Sequence, residues 1–260
     1  MKLRDKVAIV TGSGRGIGRA IARRFAAEGA AVLVTARTAS ECDAVVREIT
    51  AAGGKAAAVA ADVSRPADCE RIVAAAWEDF GRVDILVNNA GIYGPVKPLE
   101  EITVEEWDTT MAINLRSAFL LTKLVLPEMY ARKSGVILNI ASISGKAAYP
   151  WGGAYASSKA ALLGMTRIVA AEAARKGVRV NALCPGPVFE TKMSQDLGAE
   201  LSRRMGIDNE TQKAGFVAGI LQGRAQTADE MAAAALFLVS EEASAITAQS
   251  LNVDGGVVFG

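Results

Sequence analysis

Short apolar runs recur along the chain, each bounded by glycine or polar residues and separated by stretches with helical spacing. Val7-Ala8-Ile9-Val10 opens the series. Ala31–Thr35, Ala56–Ala61, Val83–Val87, Gly135–Ile140, Val178–Leu183 and Ser250–Val253 continue it. Runs this short and this continuously apolar suit strands buried on both faces. Between them, helices are predicted over Arg19–Glu28, Ser40–Ala52, Pro66–Phe80 and Val104–Tyr130, through Tyr155 and Lys159 to Lys176, and over Ala228–Val239. Such alternation specifies an α/β fold in which one parallel sheet of seven strands carries helices on both faces. The stretch 188–224 has no strand signal and is predicted to be an inserted helical lid of the kind that carries substrate selectivity. No linker, charge run or repeat divides the chain, so a single domain over 1–260 is expected. Within the fourth helix Asn114 stands among Met111, Ile113 and Leu115, and a polar amide there needs a partner.

Composition narrows the function. With 260 residues, 51% apolar and 22% charged, the chain can bury one sizeable core. A net charge of +1 offers no attraction to nucleic acid or an anionic membrane, and neither is expected as a partner. The opening Met1–Lys6 lacks the apolar core of a secretory leader, and the run Met231–Val239 is too short to span a bilayer. Cys42, Cys69 and Cys184 are odd in number and widely spaced, which suits a reducing, cytoplasmic setting. The chain has no histidine, which excludes Ser-His-Asp and Cys-His nucleophiles and histidine-ligated metals. No metal site is expected, and acid-base chemistry falls to Tyr, Lys, Cys, Asp or Glu.

Tyr155 and Lys159 are four residues apart on a predicted helix, so their side chains share one face. A phenol titrates near ~10, and bringing it to neutrality takes roughly 4 kcal/mol, more than one exposed lysine supplies. A second positive charge is needed, such as an oxidised nicotinamide ring. The turn Thr11-Gly12-Ser13-Gly14-Arg15-Gly16-Ile17-Gly18 lies between a strand and a helix, where backbone N–H groups and the helix dipole can meet a pyrophosphate. After the second strand stand Ala36 and Arg37 instead of an acidic residue, with Glu41 expected to point along the next helix. Arg15 and Arg37 are either a clamp for a 2′-phosphate or two solvated surface charges. Asp62-Val63 ends the third strand, Asn88-Asn89-Ala90-Gly91 the fourth, Ala141-Ser142 the fifth and Cys184-Pro185-Gly186-Pro187 the sixth, at the sheet edge where ligands bind. The asparagine pair is either a plain turn or a place for close ligand approach.

Taken together, Thr11–Gly18, Asn88–Gly91, Asn114, Ser142, Tyr155, Lys159 and Pro185-Gly186 resemble the short-chain dehydrogenase/reductase family over essentially the whole chain. The resemblance implies a Rossmann-like, doubly wound sheet and hydride transfer between a nicotinamide and a carbonyl or secondary alcohol. It implies that Tyr155 is the general acid or base and that Ser142 binds the substrate oxygen. It also implies that Lys159 lowers the phenol pKa and binds the nicotinamide ribose, and that Asn114 holds a relay water. Cofactor contacts are implied at Gly12, Ser13, Arg15, Gly16, Ile17, Gly18, Arg37, Asp62, Val63, Asn89, Ala90, Gly91, Tyr155, Lys159, Pro185, Gly186, Val188 and Thr191. The two arginines are those of members preferring NADP(H) over NAD(H).

The likeness is to 3-oxoacyl-ACP reductases, with an NAD-dependent polyol, sugar or hydroxysteroid dehydrogenase as the alternative. A non-catalytic dinucleotide sensor on the same fold is a rival of another class. Arg132, Lys133, Arg175 and Lys176 are candidate docks for an acyl carrier beside the cleft, or simply helix-end charges. Leu221-Gln222-Gly223-Arg224 departs from the family's P-L-G-R. Tyr93, Ile143, Tyr149, Trp151, Phe189, Met193 and Phe216 are candidate walls for a partly apolar substrate. The apolar tail Val257–Gly260 and the resemblance together imply a homotetramer.

Overall fold

In a computed structural model describing residues 1–259, the chain forms β1 (Val7–Thr11), α1 (Gly16–Ala27), β2 (Ala31–Ala36), α2 (Ala39–Ala51), β3 (Lys55–Ala60) and α3 (Pro66–Phe80). It continues with β4 (Ile85–Asn88), α4 (Val104–Met111), α5 (Ser117–Arg132), β5 (Gly135–Ile140), α6 (Gly153–Ala173) and β6 (Val178–Pro185). After α7 (Lys192–Met205), α8 (Asn209–Ala218) and α9 (Ala228–Val239), β7 (Ser250–Val253) closes the sheet. The seven strands lie in the order β3-β2-β1-β4-β5-β6-β7, and every pairing is parallel.

The continuous apolar runs follow from burial on both faces. Ala8, Val10, Val32, Val34, Ile85, Val87 and Leu138 pack on one side with Ile21, Phe25, Met231 and Leu236 of α1 and α9. Their neighbours Ile9, Leu33, Leu86 and Ile137 point the other way, towards Ile72, Leu121, Met129 and Ala170 of α3, α5 and α6. The alternation is the two-residue period of a strand. Burying each such side chain contributes about 1.5–3 kcal/mol, so both layers hold the sheet. The strand order reverses between β1 and β4, which opens a crevice at their carboxyl ends.

Two expectations about helices change. The first helix begins at Gly16 rather than Arg19, so Gly16, Ile17 and Gly18 form its first turn. The long helix predicted over Val104–Tyr130 is broken by five π-helical residues, Ala112–Arg116, around Asn114. The fourth strand also starts two residues later than expected. Segment 188–224 holds α7 and α8 and no strand. Among the described residues no helix is long and apolar enough to cross a membrane.

Candidate active site

The glycine turn is tied to the end of β4. Thr11 Oγ1 accepts from the N–H groups of Asn89 and Ala90 at 3.0 and 2.9 Å, and Asn89 Nδ2 donates to Thr11 O at 2.7 Å. A Cβ on Gly18 would lie 2.4 Å from both Asn89 Nδ2 and Gly12 O, so the close approach of α1 to this turn requires glycine. Arg15, the N-cap of α1, makes no side-chain cap and the first turn holds no acidic residue. The helix therefore presents its first N–H groups to the crevice, a cradle for phosphate oxygens. Ser13 faces away. Its fully buried hydroxyl donates to Val10 O at 2.6 Å and accepts from Thr35 N at 3.0 Å.

At the end of β2 the structure corrects the expected path of Glu41. Its side chain folds back over Gly14, where a Cβ would come within 2.9 Å of Glu41 Cβ, and Arg15 Nη1 donates to Glu41 Oε1 at 3.1 Å. Arg37 is exposed and lines the same part of the cleft. Burial opposes ionisation of Asp62, yet the Ser64 hydroxyl and N–H, with Arg37 and Arg65 nearby, hold its pKa below the ordinary value.

Asn114 finds its partners across the crevice. Its Oδ1 accepts from Ile92 N at 2.8 Å, while Nδ2 donates to Ile92 O at 2.9 Å and Ser158 Oγ at 3.0 Å. Both amide hydrogens are thus engaged by protein, and the side chain clamps the loop after β4 to α6. Ser142 Oγ accepts from Ser144 N at 3.1 Å and hydrogen-bonds the Tyr155 phenol. Lys159 Nζ donates to Ile140 O at 2.8 Å and stands 5.7 Å from the Tyr155 ring centroid. Burial pushes the phenol up to about 12 against the lowering effect of the Ser142 bond. Burial also pushes the Lys159 ammonium down to about 8. Desolvation dominates the phenol, so the shared helix face does not by itself acidify it.

These groups line one cleft of about 1390 Å³. That exceeds the roughly 300–1,000 Å³ usual for a single ligand and leaves room for a dinucleotide and a substrate side by side. Of the site residues read from the sequence, all but Ser13 and Asn114 line it, as do all seven expected wall residues. Met193 of α7 and Phe216 of α8 form the outer wall, and the Phe216 and Tyr149 rings lie 6.5 Å apart. The sequence reading expects Glu41 to point along the next helix, and its place in the first turn of α2 is the signal that it can reach the glycine turn instead.

One expectation is overturned. Arg132 and Lys133 end α5 just before β5, and Arg175 and Lys176 follow α6 just before β6. All four therefore lie at the amino edge of the sheet, opposite the cleft, and none lines it. Arg132 Nη2 donates to Val83 O, and Lys176 Nζ sits 4.1 Å over the Tyr130 ring.

The short chain dehydrogenase family model matches residues 6–202. The chain is 39% identical over 259 residues to a 3-oxoacyl-[acyl-carrier-protein] reductase of Synechocystis sp., covering 99% of this chain and 98% of the relative. A variant of actinorhodin polyketide ketoreductase with NADPH superposes with a TM-score of 0.93 at 38% identity, covering 97% of each chain. A 7α-hydroxysteroid dehydrogenase complexed with NADH and 7-oxoglycochenodeoxycholic acid superposes with a TM-score of 0.88 at 35% identity, covering 98% of this chain and 95% of that one. The chain belongs to the short-chain dehydrogenase/reductase family, oxidoreductases that act on hydroxyl and carbonyl groups with nicotinamide dinucleotides.

Proposed function

We propose that the protein is an NADP(H)-dependent reductase of 3-oxoacyl-type carbonyl compounds, interconverting them with secondary alcohols. The observation that carries this reading is the Ser142 hydroxyl bonded to the buried Tyr155 phenol on the wall of the cleft into which α1 opens. A dinucleotide sensor has no use for that pair. When bound, the dinucleotide supplies or accepts the hydride, and only its oxidised form brings a positive charge. Tyr155 donates its phenolic proton to the substrate oxygen as charge develops there, and Ser142, pinned by the Ser144 N–H, hydrogen-bonds the same oxygen. Raised by burial, the phenol is protonated at neutral pH, the form a proton donor needs. Lys159 spends one ammonium hydrogen on Ile140 O and keeps two for the ribose hydroxyls. Asn114 fixes the loop carrying Gly91, where a Cβ would lie 3.5 Å from Lys159 Nζ.

For the cofactor, no carboxylate stands at Ala36, Arg37 or Thr38 to repel a 2′-phosphate, and Arg15 and Arg37 flank that position. Glu41 is the opposing feature, since it already holds Arg15. It is also the observation that favours the second reading, an NAD-dependent hydroxysteroid, polyol or sugar dehydrogenase. The helices α7 and α8 act as the substrate lid, and the mostly apolar walls suit an acyl chain whether free or carrier-borne. A panel of 3-oxoacyl thioesters, simple ketones, sugars and hydroxysteroids, each with NADPH and NADH and followed by nicotinamide absorbance, tests the proposal. Turnover of steroids or polyols with NADH and not of 3-oxoacyl thioesters with NADPH would replace it by the second reading.

A further inference from the structure

We propose that Tyr93 is a positioning residue: its ring, stacked on Tyr155 and seated on Gly152, sets the plane of the phenol and shields one face from water. The inference rests on the reading of Tyr155 as the proton donor. The two rings lie with centroids 4.7 Å apart and planes 22° from parallel. Tyr93 is partly buried, lines the cleft and belongs to no core cluster, so its ring is not simply filling the interior.

The surrounding backbone holds this ring from two sides. On one, the Asn114 carboxamide fixes both backbone groups of Ile92, the residue before it. On the other, a Cβ on Gly152 would fall 2.5 Å from the Tyr93 hydroxyl oxygen and 3.3 Å from its Cζ, so the ring edge occupies the place a side chain would take. Gly152 is the N-cap of α6, the helix that carries Tyr155. The same helix start is joined to the Tyr93 loop by Lys97 N, which donates to Trp151 O at 3.1 Å. Trp151 itself has φ 67°, a costly conformation for a bulky residue, and one that brings this bridge and Gly152 into place. Loop and helix are thereby registered against each other through the stacked pair.

The groups facing the Tyr155 phenol are Lys159 on its own helix, Ser142 after β5, Cys184 at the end of β6 and Tyr93 after β4. Tyr93 and Cys184 both push the phenol's pKa up, as does burial itself. Opening the Tyr93 side to water lowers that pKa. The Lys159 ammonium, near 8, loses its proton well before the phenol does, so the Tyr93 contact is read from kcat and KM rather than from an alkaline limb.

The test compares Tyr93→Ala, Tyr93→Phe, Gly152→Ala and the double variant Gly152→Ala/Tyr93→Phe, using kcat, KM and dinucleotide affinity by fluorescence titration. In Tyr93→Ala, kcat is expected to fall about tenfold as the donor loses its alignment. Its KM and dinucleotide affinity are expected to stay nearly unchanged. Gly152→Ala is expected to show a similar loss of kcat, and Tyr93→Phe to restore activity in that background because the clash is with the hydroxyl oxygen. An unchanged kcat in Tyr93→Ala, or a loss that appears in KM alone, would overturn the proposal, as would a Gly152→Ala defect that Tyr93→Phe leaves in place. Should Tyr93→Ala fail to fold, the double variant decides alone. Activity surviving in Tyr155→Phe would instead remove the reading beneath the proposal, and is recorded separately.

Discussion

Lys159 is 4% exposed, and burial lowers its ammonium from 10.5 to about 8. The folded chain therefore binds that proton less tightly than the unfolded chain, by about 3 kcal/mol if the whole shift is counted. At pH 7 both states are charged and the folded state carries the cost in full. Between about 8 and 10.5 the folded state loses the proton while the unfolded state keeps it, so this contribution to stability rises with pH. Lys159→Met, similar in volume and uncharged, is expected to raise Tm at pH 7 by about 5 °C or more while losing activity. The gap over the parent should narrow as pH climbs through that window, and calorimetry at the two ends measures it. A Met variant no more stable than the parent at pH 7 would show that the buried ammonium carries no such cost. The pairing of Tyr155 with Lys159 was visible in the sequence because residues four apart share a helix face. Their burial and the Ile140 carbonyl were not, because both come from β5 and the turn after it.

At the level of elements, the proposed dinucleotide preference rests on the join of β2 to α2. Arg37 lies between them, and the first turn of α2 brings Glu41 over Gly14 onto Arg15. Arg15 must exchange the Glu41 carboxylate for a phosphate, whereas Arg37 is exposed and ready. One charge-assisted bond of roughly 1.5–3 kcal/mol is worth about tenfold or more in preference. If the proposed NADPH preference holds, Arg37→Asp is expected to turn it into one for NADH, and Glu41→Gln to strengthen it several-fold. Dissociation constants and kcat/KM for both dinucleotides, at fixed ionic strength, check this. A ratio unchanged in Arg37→Asp would end the clamp. The strands were legible because each apolar run is buried on two faces, and the glycine turn because strand, turn and helix come in sequence. The π segment was not, since an amide drawn across the crevice to Ile92 breaks the helix without altering its apolar spacing. The carrier dock failed for a topological reason: helices on a parallel sheet run back against the strands, so charges at their C-terminal ends fall on the edge away from the cleft.

For the molecule as a whole, the parallel order places the glycine turn, Ser142 and the Pro185-Gly186 loop on one edge, with α7 and α8 walling the cleft. Exposed large apolar side chains are spread over the described surface, and two groups of them bear on assembly. Phe119 and Ile168, 50% and 62% exposed, lie on α5 and α6, while Leu251 and Phe259 lie at the β7 edge, with Gly260 outside the described residues. The proposed tetramer of two-fold symmetry would need two such surfaces to pair with their own copies. Light scattering at micromolar concentration is expected to give four times the 27.1 kDa chain mass, and a value equal to one chain would contradict the assembly. The central claim concerns the chemistry in the cleft, and Tyr155→Phe tests it most directly because only the phenolic oxygen is lost. Turnover of the best carbonyl substrate with NADPH is measured beside dinucleotide binding by fluorescence. The account predicts a rate loss of at least ~10²-fold with nearly unchanged dinucleotide affinity, whereas a Phe variant within a few-fold of the parent rate would contradict it.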